Sequence, residues 1–532
     1  MTHTRLSSFS LLFFTKCDVR DTLSRMTTKA HKALVLFGNG AKMHDRIAGK
    51  PGDYATVEAG VRAGRQLVIG VVRDNAFFLD KIADYAAKLI GRSITALPLA
   101  PSPVSELPRR FEFHLDGLNK VLGAHGILMR VMDDDLREII QSAARNAGDL
   151  PEADILRLLG IVCRTALVGP HWFVFEVENS CNENCLYCNI HSPERKPSKE
   201  FIQGRMPFAQ YAAQVRELAR MGVDGVTVLG NGEPTVHPDF LEMVLLPKKL
   251  GLRVNFFTNG LLLTQELSRR VVDAGCDEMF CTISGGSKKS YGILHPRQGE
   301  KGYDRVLENL RFLFQYRSKG EKGLPKASAV HVVCAANARE LPAMAEQAVD
   351  LGFDAFRPQL IRVDEHNQKL ALSDEDLSAI ARDLPAVREI CEKGGVELWE
   401  AFEPMVRSAR DNPDNWTPDE FIEQGCIIGW LLGLAKCDGT LSLCCVVKPV
   451  GHLADGGIEK LWSGADYQRY RLAALDLKQN RDMPLLDGSP LFTERCRRCD
   501  NHDINRRYFS MLRESGMIRH YRQSPWRGEA DS

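Results

Sequence analysis

Apolar positions follow two alternating rhythms between Trp172 and Ile361. Short apolar and β-branched runs at 172–177, 225–229, 253–257, 278–283, 328–334 and 355–360 read as buried strands. Between them, apolar residues at three- and four-residue steps predict helices over Phe208–Met221, Phe240–Leu250, Thr264–Ala274, Tyr303–Tyr316 and Leu341–Leu351. Alternating β and α units with crossovers of this length imply an α/β fold with a parallel sheet and right-handed connections. The chemistry of such folds gathers at the carboxyl ends of the strands.

Upstream, 33–38 and 67–72 are also strand-like, and Asp80–Ile90 carries helical apolar spacing. These predict an N-terminal α/β domain over 30–125, to which the sequence assigns no role. Gly38-Asn39-Gly40 reads as a strand-end turn, because a phosphate-binding loop needs a third glycine. Residues 100–110 have linker composition, and 126–170 form a helical lead-in. Residues 1–29 are expected to be disordered or a start-site extension, with Met26 the alternative start. The Phe9–Phe14 run is too short to cross a bilayer, and the Lys16 and Asp18 that follow make a poor signal peptide.

Over 532 residues, Lys+Arg and Asp+Glu balance at 69 each, which argues against a polyanion binder or a membrane-surface protein. Arg497, Arg498, Arg506, Arg507 and Arg519 make the C-terminus locally basic, but no basic–aromatic stripe accompanies them, so nucleic acid is not the expected partner. The 15 cysteines fall into two close clusters plus scattered singles, which fits metal ligation and free thiols in a reducing, cytoplasmic setting.

The first cluster is Cys181-x3-Cys185-x2-Cys188, directly after the strand-like 172–177 run. Three thiolates on one short loop can hold a [4Fe–4S] cube while leaving one iron open, since such a cube normally takes four. Tetrahedral zinc is the rival. The spacing, with the aromatic Tyr187 before the third cysteine, resembles the motif of the radical S-adenosylmethionine (radical SAM) enzymes. That resemblance implies a (β/α)6 partial TIM barrel. It also implies a cluster whose open iron is chelated by SAM, and reductive cleavage of SAM to a 5′-deoxyadenosyl radical.

The strand ends agree with it. Gly230-Asn231-Gly232-Glu233-Pro234 is similar to the family's Gly-Gly-Glu-Pro turn, implying that Gly232, Glu233 and Pro234 receive the SAM amino group. Thr258-Asn259-Gly260 resembles the polar turn near the SAM carboxylate. Ser284 matches the serine of a Ser-x-Asp element whose aspartate is here Gly286. Arg297 stands where relatives place an arginine on the SAM carboxylate. Asn337 is expected to cap the following helix.

The second cluster comprises Cys426, Cys444, Cys496 and Cys499, with Cys437 and Cys445 as extras and Cys445 able to replace Cys444. A hairpin at Asp438-Gly439 and a distant C-x2-C gather four thiolates, enough for a closed [4Fe–4S] cluster or a structural zinc. The C-x12-G-x4-C spacing resembles a SPASM domain. No cysteine follows Cys499, so the resemblance is to the shortened one-cluster twitch form. The implied organisation is a radical SAM core over 171–365, a connector over 366–420, an auxiliary-cluster domain over 421–505 and a tail over 506–532. The expected function is a radical SAM oxidoreductase or maturase acting on a peptide or natural product, served by a reductant such as flavodoxin or ferredoxin. A sugar or cyclitol dehydrogenase is the alternative. A non-catalytic redox sensor or scaffold is the reading from another class.

Overall fold

The computed structural model describes four short strands within residues 9–130, and residues 150–521 apart from 163, 165, 167, 321–322, 412–419, 446–447 and 500. Two compact units make up the chain, one of residues 1–168 with 508–532 and one of 169–507.

In the first unit β1 (Phe9–Phe13), β2 (Leu34–Leu36), β3 (Leu67–Val71) and β4 (Ile127–Arg130) form a parallel sheet in the order β2-β3-β1-β4. β2 and β3 fall where apolar runs predict them. β1 lies within the 1–29 stretch expected to be disordered or a start-site extension, and pairs with β3 on one side and β4 on the other. The anticipated helix at 80–90, the linker at 100–110 and the turn at 38–40 lie outside the described residues. Glu152–Val162 is the first described helix, and it buries Ile155, Leu158, Leu159 and Ile161 completely or nearly so. Asp154, also buried, accepts from Arg157 Nη1 at 2.8 Å and from the Tyr508 hydroxyl.

The second unit is built on a ten-stranded sheet in the order β11-β10-β9-β8-β7-β6-β5-β12-β13-β14. β5 (Trp172–Glu176), β6 (Gly225–Leu229), β7 (Arg253–Thr258), β8 (Glu278–Thr282), β9 (Lys326–Val333) and β10 (Ala355–Leu360) run parallel in chain order. Each matches a predicted strand. β11 (Glu397–Leu398) extends the far edge. On the near edge β12 (Leu432–Ala435) pairs parallel with β5, and β13 (Thr440–Ser442) and β14 (Pro449–His452) add an antiparallel meander. The segment expected as a separate domain over 421–505 therefore shares its sheet with 171–365. Gly433 permits this, since a Cβ there would sit 2.5 Å from the Phe173 ring.

Alternation sorts each strand into two faces. Phe175 packs edge-on to Tyr211 at 4.8 Å, and Phe256 meets Phe240 at 5.2 Å, so these positions face the helices. On the other face Phe257 stacks on Phe280 at 4.5 Å, and the Arg357 guanidinium lies between Phe280 and Trp399 at 5.0 and 5.1 Å. Thr264 caps the Gln265–Asp273 helix by accepting from the Leu267 N–H. A helix the apolar pattern does not predict, Lys288–Leu294, starts with a reciprocal Ser287/Ser290 capping box.

His331 on β9 is fully buried, and among the described residues neither ring nitrogen has a hydrogen-bond partner. Burial, then the nearby His295, pushes its pKa from 6.5 down to about 3. The unfolded chain thus gains a proton near pH 6.5 that the folded chain refuses until about pH 3, and stability falls as pH drops through that window. His331→Met is expected to raise Tm at pH 8, removing an unsatisfied group that costs about 1–3 kcal/mol. The gain should be larger at pH 5. Equal melting of variant and wild type at both pH values would contradict this.

Candidate functional site

The cysteine loop leaves the carboxyl end of β5, and Cys181, Cys185 and Cys188 are all half-buried free thiols. The Cys188 N–H closes a turn on the Cys185 carbonyl at 3.0 Å. Backbone N–H groups point at the sulfurs. Glu183 N lies 3.4 Å from Cys181 Sγ, and Ile190 N and His191 N lie 3.4 and 3.2 Å from Cys188 Sγ. Donors aimed at sulfur suit anionic, metal-bound thiolates. Burial, partly offset by the Glu183 N–H, pushes the Cys181 thiol up to about 12, and burial raises Cys185 as well. A bound metal's positive charge is what would bring such thiols to the ligand form.

The Gly230–Pro234 turn at the end of β6 is laced to this loop. Gly232 N donates to the Glu178 carbonyl and Glu233 N to the Ser180 carbonyl, both at 2.9 Å. A Cβ on Gly232 would come within 1.9 Å of Ser180 O, so the glycine admits the cysteine loop itself. Glu233 is 3% exposed. Its Oε1 accepts from Thr235 N at 3.1 Å, Thr235 Oγ1 at 2.5 Å and Thr258 Oγ1 at 2.8 Å, and its Oε2 from Asn259 N at 2.7 Å. Burial raises its pKa, and those donors act against the rise. Glu233, Thr258 and the buried Pro234 therefore form a brace between the ends of β6 and β7.

Ser284 combines zero exposure with a positive φ of 44°, rare for a residue with a side chain. Its Oγ accepts from Val332 N at 3.0 Å, and its carbonyl from Asn337 Nδ2 at 3.0 Å. Asn337 does precede a short helical turn, yet its side chain makes no cap. It accepts from Cys334 N and donates to Val332 O instead, tying β8 to β9. Gly286, where the resemblance implies an aspartate, has no room for a side chain, because a Cβ would meet Glu340 atoms at 2.9 Å. The carboxylate arrives from Glu340, whose Oε2 accepts from Gly286 N at 3.0 Å and whose Oε1 accepts from Ser287 Oγ at 2.8 Å.

Arg297 lies against the cysteine loop. Nη1 donates to the Cys181 carbonyl at 2.9 Å, and its backbone N–H to Asn184 Oδ1 at 2.9 Å. Further residues complete the clamp. Asn259 Nδ2 donates to Asn182 Oδ1 at 2.6 Å, Gln298 Nε2 to Asn182 O at 3.2 Å, and Leu186 N to Leu294 O at 2.9 Å. Tyr187 Oη lies 2.9 Å from His295 Nε2. His295 Nδ1 faces the Tyr291 carbonyl at 3.0 Å, which can only accept, so Nε2 is the acceptor and Tyr187 donates. Burial lowers the His295 pKa to about 4, keeping that pair neutral. The polar Thr258-Asn259-Gly260 turn signalled Asn259. Nothing in the sequence signalled His295.

Cys426, Cys444, Cys496 and Cys499 line a single cavity with Ile428, Leu443, Ala474, Leu477, Leu491, Lys448, Asn501 and Asn505. Cys445 does not line it, and its sulfur accepts from Asn501 Nδ2 at 2.8 Å. Cys437 lies apart, beside Gly204. Burial pushes the Cys426 thiol up to about 12 and raises Cys499, where Cys445, Cys426 and Cys496 add to the effect. Among the described residues, no three cysteine sulfurs lie within 4.8 Å of one another. Cys276, Cys281, Cys334 and Cys391 are buried small residues, as their apolar contexts predict. Arg498, part of the basic C-terminal set, donates to the Val363 carbonyl at 3.1 Å. No helix of the described residues is long and apolar enough to cross a membrane.

Residues 176–348 match the Radical SAM superfamily, so the chain carries a radical SAM domain and is an enzyme. It is 26% identical over 190 residues to the tungsten-containing aldehyde ferredoxin oxidoreductase cofactor-modifying protein of Pyrococcus furiosus, covering 35% of this chain and 50% of that protein. It is 25% identical over 327 residues to the mycofactocin maturase MftC of Mycobacterium ulcerans, covering 56% and 76%. Over 145 residues it is 27% identical to the AdoMet-dependent heme synthase of Methanosarcina barkeri, covering 27% and 39%. The aligned region thus spans half the length of the first of these relatives and less of the third. The SAM-bound crystal structure of Streptococcus suis SuiB superposes with a TM-score of 0.46 at 15% identity, covering 68% of this chain and 78% of SuiB.

Proposed function

We propose that the chain is a radical SAM oxidoreductase or maturase that modifies a peptide or natural-product substrate. In this reading Cys181, Cys185 and Cys188 hold a [4Fe–4S] cluster with one open iron, at the mouth of a (β/α)6 partial barrel. Cys426, Cys444, Cys496 and Cys499 hold a second, auxiliary cluster in a twitch-type segment. The observation that carries the reading is the three-thiol loop at the carboxyl end of β5, with backbone N–H groups aimed at its sulfurs and a matched radical SAM domain around it. When bound and reduced, the first cluster supplies the electron that cleaves SAM.

The chain's own residues divide into two roles. Glu233, Thr258 and Ser284 act as positioning residues, since their oxygens accept from neighbouring donors inside the protein and the Thr258 hydroxyl donates to Glu233. Gly232 and Pro234 shape the turn that backs the cysteine loop, and Tyr187 anchors that loop to His295. Arg297 and Asn259 are the residues proposed to contact SAM, because both reach the loop from less buried positions. The maturase role draws support from the 327-residue match to a mycofactocin maturase. A small electron carrier such as flavodoxin or ferredoxin is the proposed reductant.

The test is anaerobic reconstitution followed by dithionite and SAM, with chromatography for 5′-deoxyadenosine and methionine. The reading expects both in equal amounts. Neither product from protein whose first site carries iron would overturn it. The ligand choice has its own test: Cys444→Ala is expected to lose about four irons and Cys445→Ala to keep them. The reverse pattern would transfer the ligand role to Cys445.

A further inference from the structure

We propose that the Lys448 ammonium is a positive charge built into the second cysteine cavity, where it holds an anionic iron–sulfur group and sets its reduction potential. This rests on the reading of that cavity as a cluster site. Lys448 lines the cavity with Cys426, Cys444, Cys496 and Cys499, and only 2% of its surface is exposed. Its Nζ donates to the Pro490 carbonyl at 2.6 Å. Among the described residues no carboxylate forms an ion pair with it. Burial works against its charge, as does Arg495, while Cys496, Cys444 and Asp487 favour it.

A buried ammonium without a paired carboxylate is unfavourable unless negative charge lies beside it. The thiols supply that charge only once they are metal-bound thiolates, so cation and cysteines make sense together. Apart from Asn501 and Asn505 the rest of the wall is apolar, with Ile428, Leu443, Leu477 and Leu491 excluding water and strengthening the interaction. A four-thiolate cluster is net negative and gains one more negative charge on one-electron reduction. A fixed cation beside it favours the reduced form and raises the potential. A purely mechanical role, tying 448 to 490 through the Pro490 carbonyl, would leave the potential unmoved.

The experiment uses the full chain with Cys181, Cys185 and Cys188 replaced by alanine, so that the second site alone carries metal. Iron content and an EPR-monitored dithionite titration are compared for Lys448 and for the Lys448→Met, Lys448→Gln and Lys448→Arg variants, with circular dichroism as the folding control. The expected result is a more negative midpoint in the two neutral variants and a midpoint near that of the parent in Lys448→Arg. Loss of iron from both neutral variants, with iron kept in Lys448→Arg and the dichroism unchanged, supports the holding role equally. Iron retained with the same midpoint in all four proteins overturns the inference alone, as does loss of iron from all three variants. Zinc, or no metal, in the Lys448 parent overturns the underlying cluster reading.

Discussion

Replacing Cys181, Cys185 and Cys188 together by alanine is expected to abolish 5′-deoxyadenosine formation and to cut bound iron from about eight to about four. The effect is large because the three thiols are the whole ligand set of the first site, and no described cysteine outside this loop is grouped with them. The fold should survive. The loop is fixed by contacts that do not involve sulfur: Gly232 N and Glu233 N on the Glu178 and Ser180 carbonyls, Arg297 on the Cys181 carbonyl, and Tyr187 on His295. Circular dichroism and Tm should therefore change little in the metal-free state. Unchanged iron in the triple variant would show that the loop binds none.

Gly232→Ala is expected to be the most damaging single substitution outside the cysteines. The added Cβ would lie 1.9 Å from the Ser180 oxygen and 2.4 Å from its carbonyl carbon, both backbone atoms with no rotamer to yield. One of the two segments must move, and the nearer cysteine, Cys181, follows Ser180 directly. Overpacking against backbone with loss of two hydrogen bonds should cost about 2–4 kcal/mol of stability and most of the first site's iron. Urea melts and an iron assay read both. The same change at Gly251, where nothing lies within 4 Å but φ is +79°, provides the contrast: modest destabilisation by backbone strain, with iron retained. Equal iron in the two variants would sink the argument.

The sheet was legible because strands such as β5, β6 and β9 are buried on both faces and read as short apolar runs, each followed by helical spacing long enough for a crossover. β12 was not legible as their neighbour. Leu432–Ala435 is only four residues long, and what pairs it with β5 is the flatness of Gly433 against Phe173, a long-range fit that no local pattern encodes. The Lys288–Leu294 helix escaped for a related reason: it is two turns long and defined by its Ser287/Ser290 cap rather than by an apolar stripe.

At the site, residue type and spacing located the loop, the Gly-Glu-Pro turn and Arg297, but did not reveal how their atoms are used. Glu233 reads as a carboxylate offered to a ligand, and in the structure it also accepts from Thr235, Thr258 and Asn259. Asn337 reads as a helix cap and is a cross-strand tie. Glu340, 54 residues beyond Gly286, fills the acidic position that the local sequence lacks. Each difference arises from tertiary hydrogen bonds between strand ends.

The most direct test of the account is the EPR spectrum of the dithionite-reduced protein with and without SAM, recorded for wild type and for the Cys181/Cys185/Cys188→Ala variant. An open iron at the first site predicts that SAM alters one wild-type signal, that this signal is missing from the variant, and that the remaining signal ignores SAM. A wild-type spectrum untouched by SAM would contradict the claim that the cysteine loop at the end of β5 presents an open iron to S-adenosylmethionine.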